Sequence, residues 1–109
     1  LETQRRTREP DALAGAVDLF KALASPVRLF VVAELGAGPR CVHELSDALR
    51  AQGREVSQPL LSQHLKVLRD VGLVTTTRRG NEVAYELVDD HVAHIVEDAI
   101  RHSQEEEPQ

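Results

Sequence analysis

Apolar side chains recur every three or four residues along most of the chain, which is the spacing of one face of an α-helix. Within residues 11–24 they are Leu13, Val17, Phe20 and Leu23. Ser25 and Pro26 then form a helix-start signal, because the hydroxyl caps free N–H groups and the proline ring presets φ for the first turn. The helix beginning at Pro26 is apolar on most sides, which predicts a central position, and residues 36–39 (Gly-Ala-Gly-Pro) end it.

Two more helices follow with the same spacing. The third is predicted over about Cys41 to Ala51. The fourth is capped by Ser57 and runs to about Val71, where Gly72 is a natural stop. The side chains expected to pack the fourth helix into the core are Leu60, Leu61, Leu65 and Leu68.

After the fourth helix the pattern changes from helical to extended. Residues 73–77 are rich in β-branched side chains, and residues 83–87 form a second short apolar segment. A Gly80-Asn81 turn between them predicts a β-hairpin, with Arg78 and Arg79 near its tip.

A last helix over about residues 91–104, capped by Asp89 or Asp90, completes the order of elements. Five helices and a two-stranded β-hairpin in this order predict an α+β, mainly helical fold, the winged helix-turn-helix, with the hairpin as the wing. The chain is predicted to divide into a flexible arm at 1–10, a single domain at 11–105 and an acidic tail at 106–109.

The 109 residues have the composition of one globular domain. No apolar run reaches the length of a membrane-spanning helix, and the first ten residues are polar and basic, unlike a secretory signal. Cys41 is the single cysteine, which excludes an internal disulfide. These features predict a cytoplasmic protein with no membrane partner.

Charge is distributed unevenly around a net value of −5. Residues 57–80 contain four basic side chains and one acidic side chain, whereas residues 89–109 contain seven acidic side chains and one arginine. An acidic total does not exclude DNA binding, because one face of a protein can be basic by itself.

The fourth helix and the hairpin carry the candidates for DNA contact. A recognition helix lies in the major groove and reads bases mainly with its first turns, while basic side chains neutralise phosphates and a wing arginine enters the minor groove. The predicted contacts to double-stranded operator DNA are Ser57, Gln58, Ser62, Gln63, His64, Lys66, Arg78 and Arg79. The alternatives are a solvated polar face and, for His64, packing between helices.

Four segments carry a family resemblance. They are LFKALASPVRLFVVAEL (19–35), CVHEL (41–45), VSQPLLSQHLKVLRDVGLV (56–74) and RRGNEVAYEL (78–87). Together they resemble the ArsR/SmtB family of metal-responsive transcriptional repressors over about residues 12–105. The resemblance implies a homodimeric winged helix that binds a palindromic operator and releases it when metal binds. One difference is the segment 50–55 (RAQGRE), which lengthens the usual tight turn between the third and fourth helices.

The last helix carries a stripe of metal-ligand side chains beside its apolar side. The stripe comprises Asp89, His91, His94, Asp98, His102 and Glu105. His91 and His102 are separated by about 16 Å along a helix, whereas two ligands of one zinc ion lie within about 4 Å of each other. Two antiparallel copies related by a two-fold axis remove this conflict. Asp89 and His91 then meet the partner's His102 and the partner's Glu105, giving two Zn²⁺ sites in a C2 homodimer.

The family resemblance implies the same ligand set. Zinc-sensing members have a similar Asp-x-His…His-x-x-Glu/His pattern that is shared across the dimer, and Asp89, His91, His102 and Glu105 match it. His94 and Asp98 fall outside the pattern. His94 is then a spare ligand, and Asp98 is a hydrogen-bond acceptor or a surface charge. The alternative for each of these residues is an exposed polar group that solubilises the helix.

Cys41, His43 and Glu44 form a weaker candidate for a second metal site. The resemblance implies a site here in some members, through a cysteine and an acid completed by the N-terminal arm. Residues 1–24 contain neither cysteine nor histidine, so a site here needs His43 or residues upstream of Leu1. The alternative is that Cys41 is a small buried apolar side chain.

The sequence thus predicts a zinc-responsive repressor, with Co²⁺ or Ni²⁺ as other metals for the same ligands. No enzyme and no small organic substrate are indicated, since HExxH, a Gly-rich phosphate loop and a supported nucleophile–histidine pair are all missing from the sequence. The alternatives are a winged-helix regulator that responds to another effector and a DNA-binding protein with a structural zinc site.

Overall fold

The computed structural model describes residues 2–105, with their side chains from residue 11 onward. Its elements, in chain order, are α1 (Glu2–Leu23), α2 (Pro26–Leu35), β1 (Arg40–Cys41), α3 (Val42–Ala51), α4 (Gln58–Asp70), β2 (Val74–Arg79), β3 (Glu82–Leu87) and α5 (His91–Glu105). The winged helix-turn-helix predicted from the pattern is confirmed: α3 and α4 form the helix-turn-helix pair, and β2 and β3 form the wing. In this part of the chain, none of the helices combines the length and apolar character needed to cross a membrane.

The helix boundaries follow from local chemistry. The Ser25 hydroxyl accepts a hydrogen bond from the Arg28 N–H at 3.2 Å, and the Ser57 hydroxyl accepts one from the Leu60 N–H at 3.3 Å. Gly72 has φ +79° after the end of α4, a left-handed conformation that glycine adopts at low cost. The capping serines and the stop glycine expected from the sequence are therefore confirmed.

The sheet is antiparallel with the order β1-β3-β2. Arg79 pairs with Glu82 across the hairpin turn, where Gly80 has φ +65°, so the strands run further toward the tip than the sequence predicted. The third strand, β1, was not predicted, because two residues carry no readable periodicity and their partner lies far along the chain. It pairs Arg40 with Tyr85 and Cys41 with Ala84.

The core lies between α2, α3, α4, the sheet and the first half of α5. Its fully buried leucines and valines are Val31, Val32, Leu45, Leu49, Leu61, Leu65, Leu68 and Val96. Leu60 was expected among them, but 46% of it is exposed. Leu60 points about 100° away from Leu61 on the helix, which places it outside the buried face that Leu61, Leu65 and Leu68 form.

Besides α4 with Leu60, α1 and α5 keep apolar side chains in solvent. Leu13, Val17 and Phe20 on α1, and Ile95 and Ile100 on α5, are all exposed in the single chain. The radius of gyration is 16.0 Å, against about 13 Å for a compact domain of this length. The chain therefore presents apolar surface that its own core does not cover.

The helix α1 begins at Glu2, earlier than residue 11, where the apolar spacing placed its start. It thus includes most of the predicted arm at 1–10. Residue 1 of that arm and the predicted tail at 106–109 lie outside the described residues. The division into arm, domain and tail stays a prediction.

Candidate DNA-binding face and metal ligands

The outward side of α4 carries polar side chains from its first turn, with Leu60 as an exposed apolar neighbour. Gln58, Ser62, Gln63 and Lys66 are exposed there, as expected of side chains that reach DNA. Ser57 is also exposed, but its oxygen caps the helix, so its hydroxyl proton is the group it can offer to a base or phosphate. This face presents both donors and acceptors, which is the chemistry that base edges require.

His64 is turned differently from its neighbours. It is half-buried, and its Nδ1 lies 2.9 Å from Nη1 of Arg28 on α2. Burial, and then the Arg28 charge, lower the pKa of the imidazole below its usual value. The structure therefore places His64 between α4 and α2, where a neutral ring is favoured.

A groove of about 470 Å³ separates α4 from the wing. Ser62, Lys66, Arg69, Asp70 and Tyr85 line it, and Lys66 Nζ lies 2.9 Å from Asp70 Oδ2. Because Asp70 pairs with Lys66, Arg69 and the two hydroxyls are the groups of this lining best suited to a phosphate. Tyr85 was not singled out in the sequence, because only the fold brings β3 beside α4.

The two wing arginines have different surroundings. Arg79 forms an ion pair with Glu44, and its Nη2 lies 3.2 Å from the Cys41 sulfur. Arg78 is exposed, and no side chain in the described part of the chain bonds to it. Arg78 is therefore the wing arginine whose charge is available to DNA.

Arg78→Ala is expected to weaken operator binding and to reduce the slope of log affinity against log salt by about one. Arg79→Ala is the matched control, and its effect on the slope should be much smaller because Glu44 already neutralises that guanidinium. Fluorescence anisotropy over a series of salt concentrations measures both slopes. Equal losses of slope in the two variants would contradict this assignment.

The candidate second metal site is divided in the structure. Cys41 is 2% exposed, as its apolar interpretation predicted, and Glu44 accepts a hydrogen bond from the Cys41 N–H at 2.8 Å. A hydrogen bond with Glu82, then burial, raise the pKa of the Cys41 thiol, which opposes the thiolate that metals bind. His43 Nδ1 faces Glu82 instead, at 3.7 Å. Arg79 contacts both the Cys41 sulfur and Glu44, so a metal ion between those two residues would have to displace it.

The four predicted zinc ligands are split between the two ends of α5. The Asp89 carboxylate accepts a hydrogen bond from the His91 N–H at 2.9 Å, and the same oxygen lies 3.3 Å from His91 Nδ1. His102 and Glu105 are exposed in the last turn. Residues 2–105 hold no cluster of three or more histidine, cysteine or acidic side chains able to bind a metal ion.

One chain therefore offers two half-sites, each with one imidazole and one carboxylate. Two such halves give a four-ligand nitrogen and oxygen set that suits Zn²⁺. The other two residues of the stripe differ from each other: His94 is exposed, and the Asp98 carboxylate lies 3.6 Å from Arg101. The donor chemistry of this chain fits zinc, provided that a second copy supplies the other half.

Sequence reasoning missed three partners of the candidate residues: Arg28, Glu82 and Tyr85. Arg28 meets His64 across 36 positions of the chain, and Glu82 meets His43 from another element. No local pattern signals such pairs, because they are created by tertiary packing.

Comparison with known proteins places the chain in a family. It matches the family model "Bacterial regulatory protein, arsR family" over residues 25–76. It is 51% identical over 96 residues to the HTH-type transcriptional repressor SmtB of Mycobacterium tuberculosis, an alignment that covers 88% of this chain and 67% of that protein. It is 38% identical over 96 residues to the HTH-type transcriptional regulator NmtR of the same organism, covering 88% and 76%.

A solved structure agrees with these relatives. The homodimeric winged helix-turn-helix DNA-binding domain from Mycobacterium bovis superposes with a TM-score of 0.74 at 26% identity, covering 90% of this chain and 86% of that one. The sequence relatives are named as a transcriptional repressor and a transcriptional regulator, which is not an enzyme class. The chain is a member of the ArsR family of bacterial regulatory proteins.

Proposed function

We propose that this chain is a zinc-responsive transcriptional repressor, whose metal-free homodimer binds a palindromic operator and leaves it when zinc binds. The observation that carries the proposal is the split ligand set on α5. Asp89 and His91 lie together at one end, and His102 and Glu105 lie at the other. Such a helix is complete as a metal site only beside an antiparallel copy of itself.

The exposed apolar residues support a dimer through α1 and α5. Phe20 and Ile95 border an apolar groove of about 220 Å³, which also includes Leu29 and Ala99. A two-fold interface uses the same patch of both subunits, so this groove would be buried in each subunit of the dimer. The homodimeric structure from Mycobacterium bovis has the same fold, which supports a homodimer.

The α4 face supports double-stranded operator DNA as the partner. Two recognition helices of a dimer fit successive major grooves when they lie about 34 Å apart. The polar face of α4 would read bases, and the groove beside Lys66 and Arg69 would hold backbone phosphate. We place this binding in the cytoplasm.

The ligand residues lie beside the proposed interface, so zinc affinity and dimer geometry are coupled. Zinc would be held by Asp89 and His91 with the partner's His102 and the partner's Glu105, and its charge would join the two α5 helices. Any orientation of the subunits that this set favours also sets the spacing of the two α4 helices. By linkage, operator DNA must weaken zinc affinity by the factor by which zinc weakens operator affinity.

Operator binding with and without zinc tests the proposal. We expect zinc to weaken binding of a duplex, selected by the metal-free protein from a random pool, by about tenfold or more, equal to about 1.4 kcal/mol. His102→Ala should lose this response, and the matched control His94→Ala, which lies on the same helix outside the ligand set, should keep it. Fluorescence anisotropy at one salt concentration measures all three proteins.

The other outcomes identify the alternatives. Operator binding that zinc leaves unchanged would indicate another effector, and a response to Co²⁺ or Ni²⁺ alone would indicate another metal. A chelator that dissociates the dimer would indicate a structural zinc site.

A further inference from the structure

Arg28 is bonded to two other helices at once. It lies in the first turn of α2, where its Nε donates a hydrogen bond to the backbone oxygen of Ala22 in the last turn of α1. Its Nη1 lies 2.9 Å from Nδ1 of His64 on α4. A single half-buried guanidinium therefore joins the end of α1 to the predicted recognition helix.

The protonation state of His64 follows from this contact. A guanidinium only donates hydrogen bonds, so Nδ1 of His64 must accept, and the ring is neutral with its proton on Nε2. Arg28 is the charge that acts on the ring among the described residues; the other elements packed on α4, which are α3 and β2, present no charged group to it. A second proton on His64 would remove the acceptor and set two cations against each other.

We propose that Arg28 is a positioning residue for operator recognition, which holds α4 in a fixed orientation to α1 through His64. His64 is then the internal acceptor for Arg28 and not a DNA contact, contrary to the expectation from the sequence. This inference rests on the proposed function, in which α1 belongs to the dimer face and α4 reads the operator. The link connects these two surfaces inside one protomer.

The direction of the pH effect separates the two roles of His64. Burial and Arg28 lower the pKa of His64 in the folded chain, so the link is fully present above the ordinary value of 6.5. It is lost as the pH falls through the lower folded value. Operator affinity should then fall with pH, whereas a His64 that touched phosphate would gain a cation and raise the affinity.

The test measures operator affinity of the zinc-free protein at about pH 8 and at the lowest pH at which far-UV circular dichroism shows the wild-type chain folded, because the pKa of His64 in the folded chain lies below its ordinary value. Wild type should bind the selected duplex about fivefold or more weakly at the lower pH, the size of one lost hydrogen bond. His64→Asn keeps an acceptor near the place of Nδ1 but does not titrate, so its affinity should be near wild type at both pH values. Arg28→Met should bind weakly at both.

His43→Asn is the matched control, because it removes an exposed histidine and should keep the wild-type pH dependence. Far-UV circular dichroism at both pH values verifies that each variant is folded. If Arg28→Met does not fold, the comparison of His64→Asn with wild type tests the inference by itself. Wild-type affinity that rises as the pH falls, or His64→Asn with unchanged pH dependence, would overturn this inference alone. A wild-type protein that selects no duplex would overturn it together with the proposed function.

Discussion

Mixing two zinc-deficient variants is expected to restore about one quarter of the wild-type zinc sites. One variant carries Asp89→Ala and His91→Ala, and the other carries His102→Ala and Glu105→Ala. Random exchange makes about half of the dimers mixed, and each mixed dimer has one complete site of two. The restored fraction is measured by competition for zinc with a chromophoric chelator after subunit exchange.

Each variant by itself provides the baseline, because both sites of its homodimer lack two ligands. The wild-type protein taken through the same exchange step provides the upper limit. If the four ligands came together within one chain, no mixture of these variants could bind zinc. A mixture that stays at the baseline while the subunits demonstrably exchange would therefore contradict the cross-dimer site.

Phe20→Glu is expected to convert the dimer to a folded monomer and to weaken operator binding by on the order of 100-fold. Phe20 is 58% exposed in the single chain, so the fold does not depend on it. In a dimer through α1 and α5 the carboxylate would be buried without a partner, at a cost of several kcal/mol. Light scattering measures the mass, and anisotropy measures the affinity.

Val83→Glu is the matched control for the mass measurement. Val83 is also an exposed apolar residue, 42% accessible, but it lies on the wing. Its glutamate variant should remain dimeric. A Phe20→Glu protein with the wild-type mass would show that the dimer uses another surface.

The parts of the fold that local chemistry determines could be predicted from the sequence. The Ser25 and Ser57 caps, the Gly72 stop and the Gly80 turn each depend on one residue type at one backbone conformation. Burial was less predictable, since the periodicity identifies an apolar side of α1 without saying what covers it. Phe20, for example, belongs to that side and is exposed.

The candidate site was predictable as a set of residue types and not as a set of contacts. The spacing on α5 indicates which side chains share a stripe, and which of them bind a metal ion stays a prediction. The sequence could not indicate that Arg79 faces Glu44 or that His64 faces Arg28, because those pairs form only when distant segments pack. The wing arginines Arg78 and Arg79 looked alike in the sequence, and they differ because Arg79 alone pairs with Glu44.

The short strand β1 limits the kind of motion by which the proposed release of DNA could occur. It pairs with β3 and leads directly into α3, so backbone hydrogen bonds tie the wing to the helix-turn-helix pair. The Arg79–Glu44 ion pair crosses the same junction, and the buried leucines of α3 and α4 complete one stiff body. An effector that acts at α5 would therefore work by rotating one whole protomer against the other, with neither a hinge in the wing nor an unfolded helix.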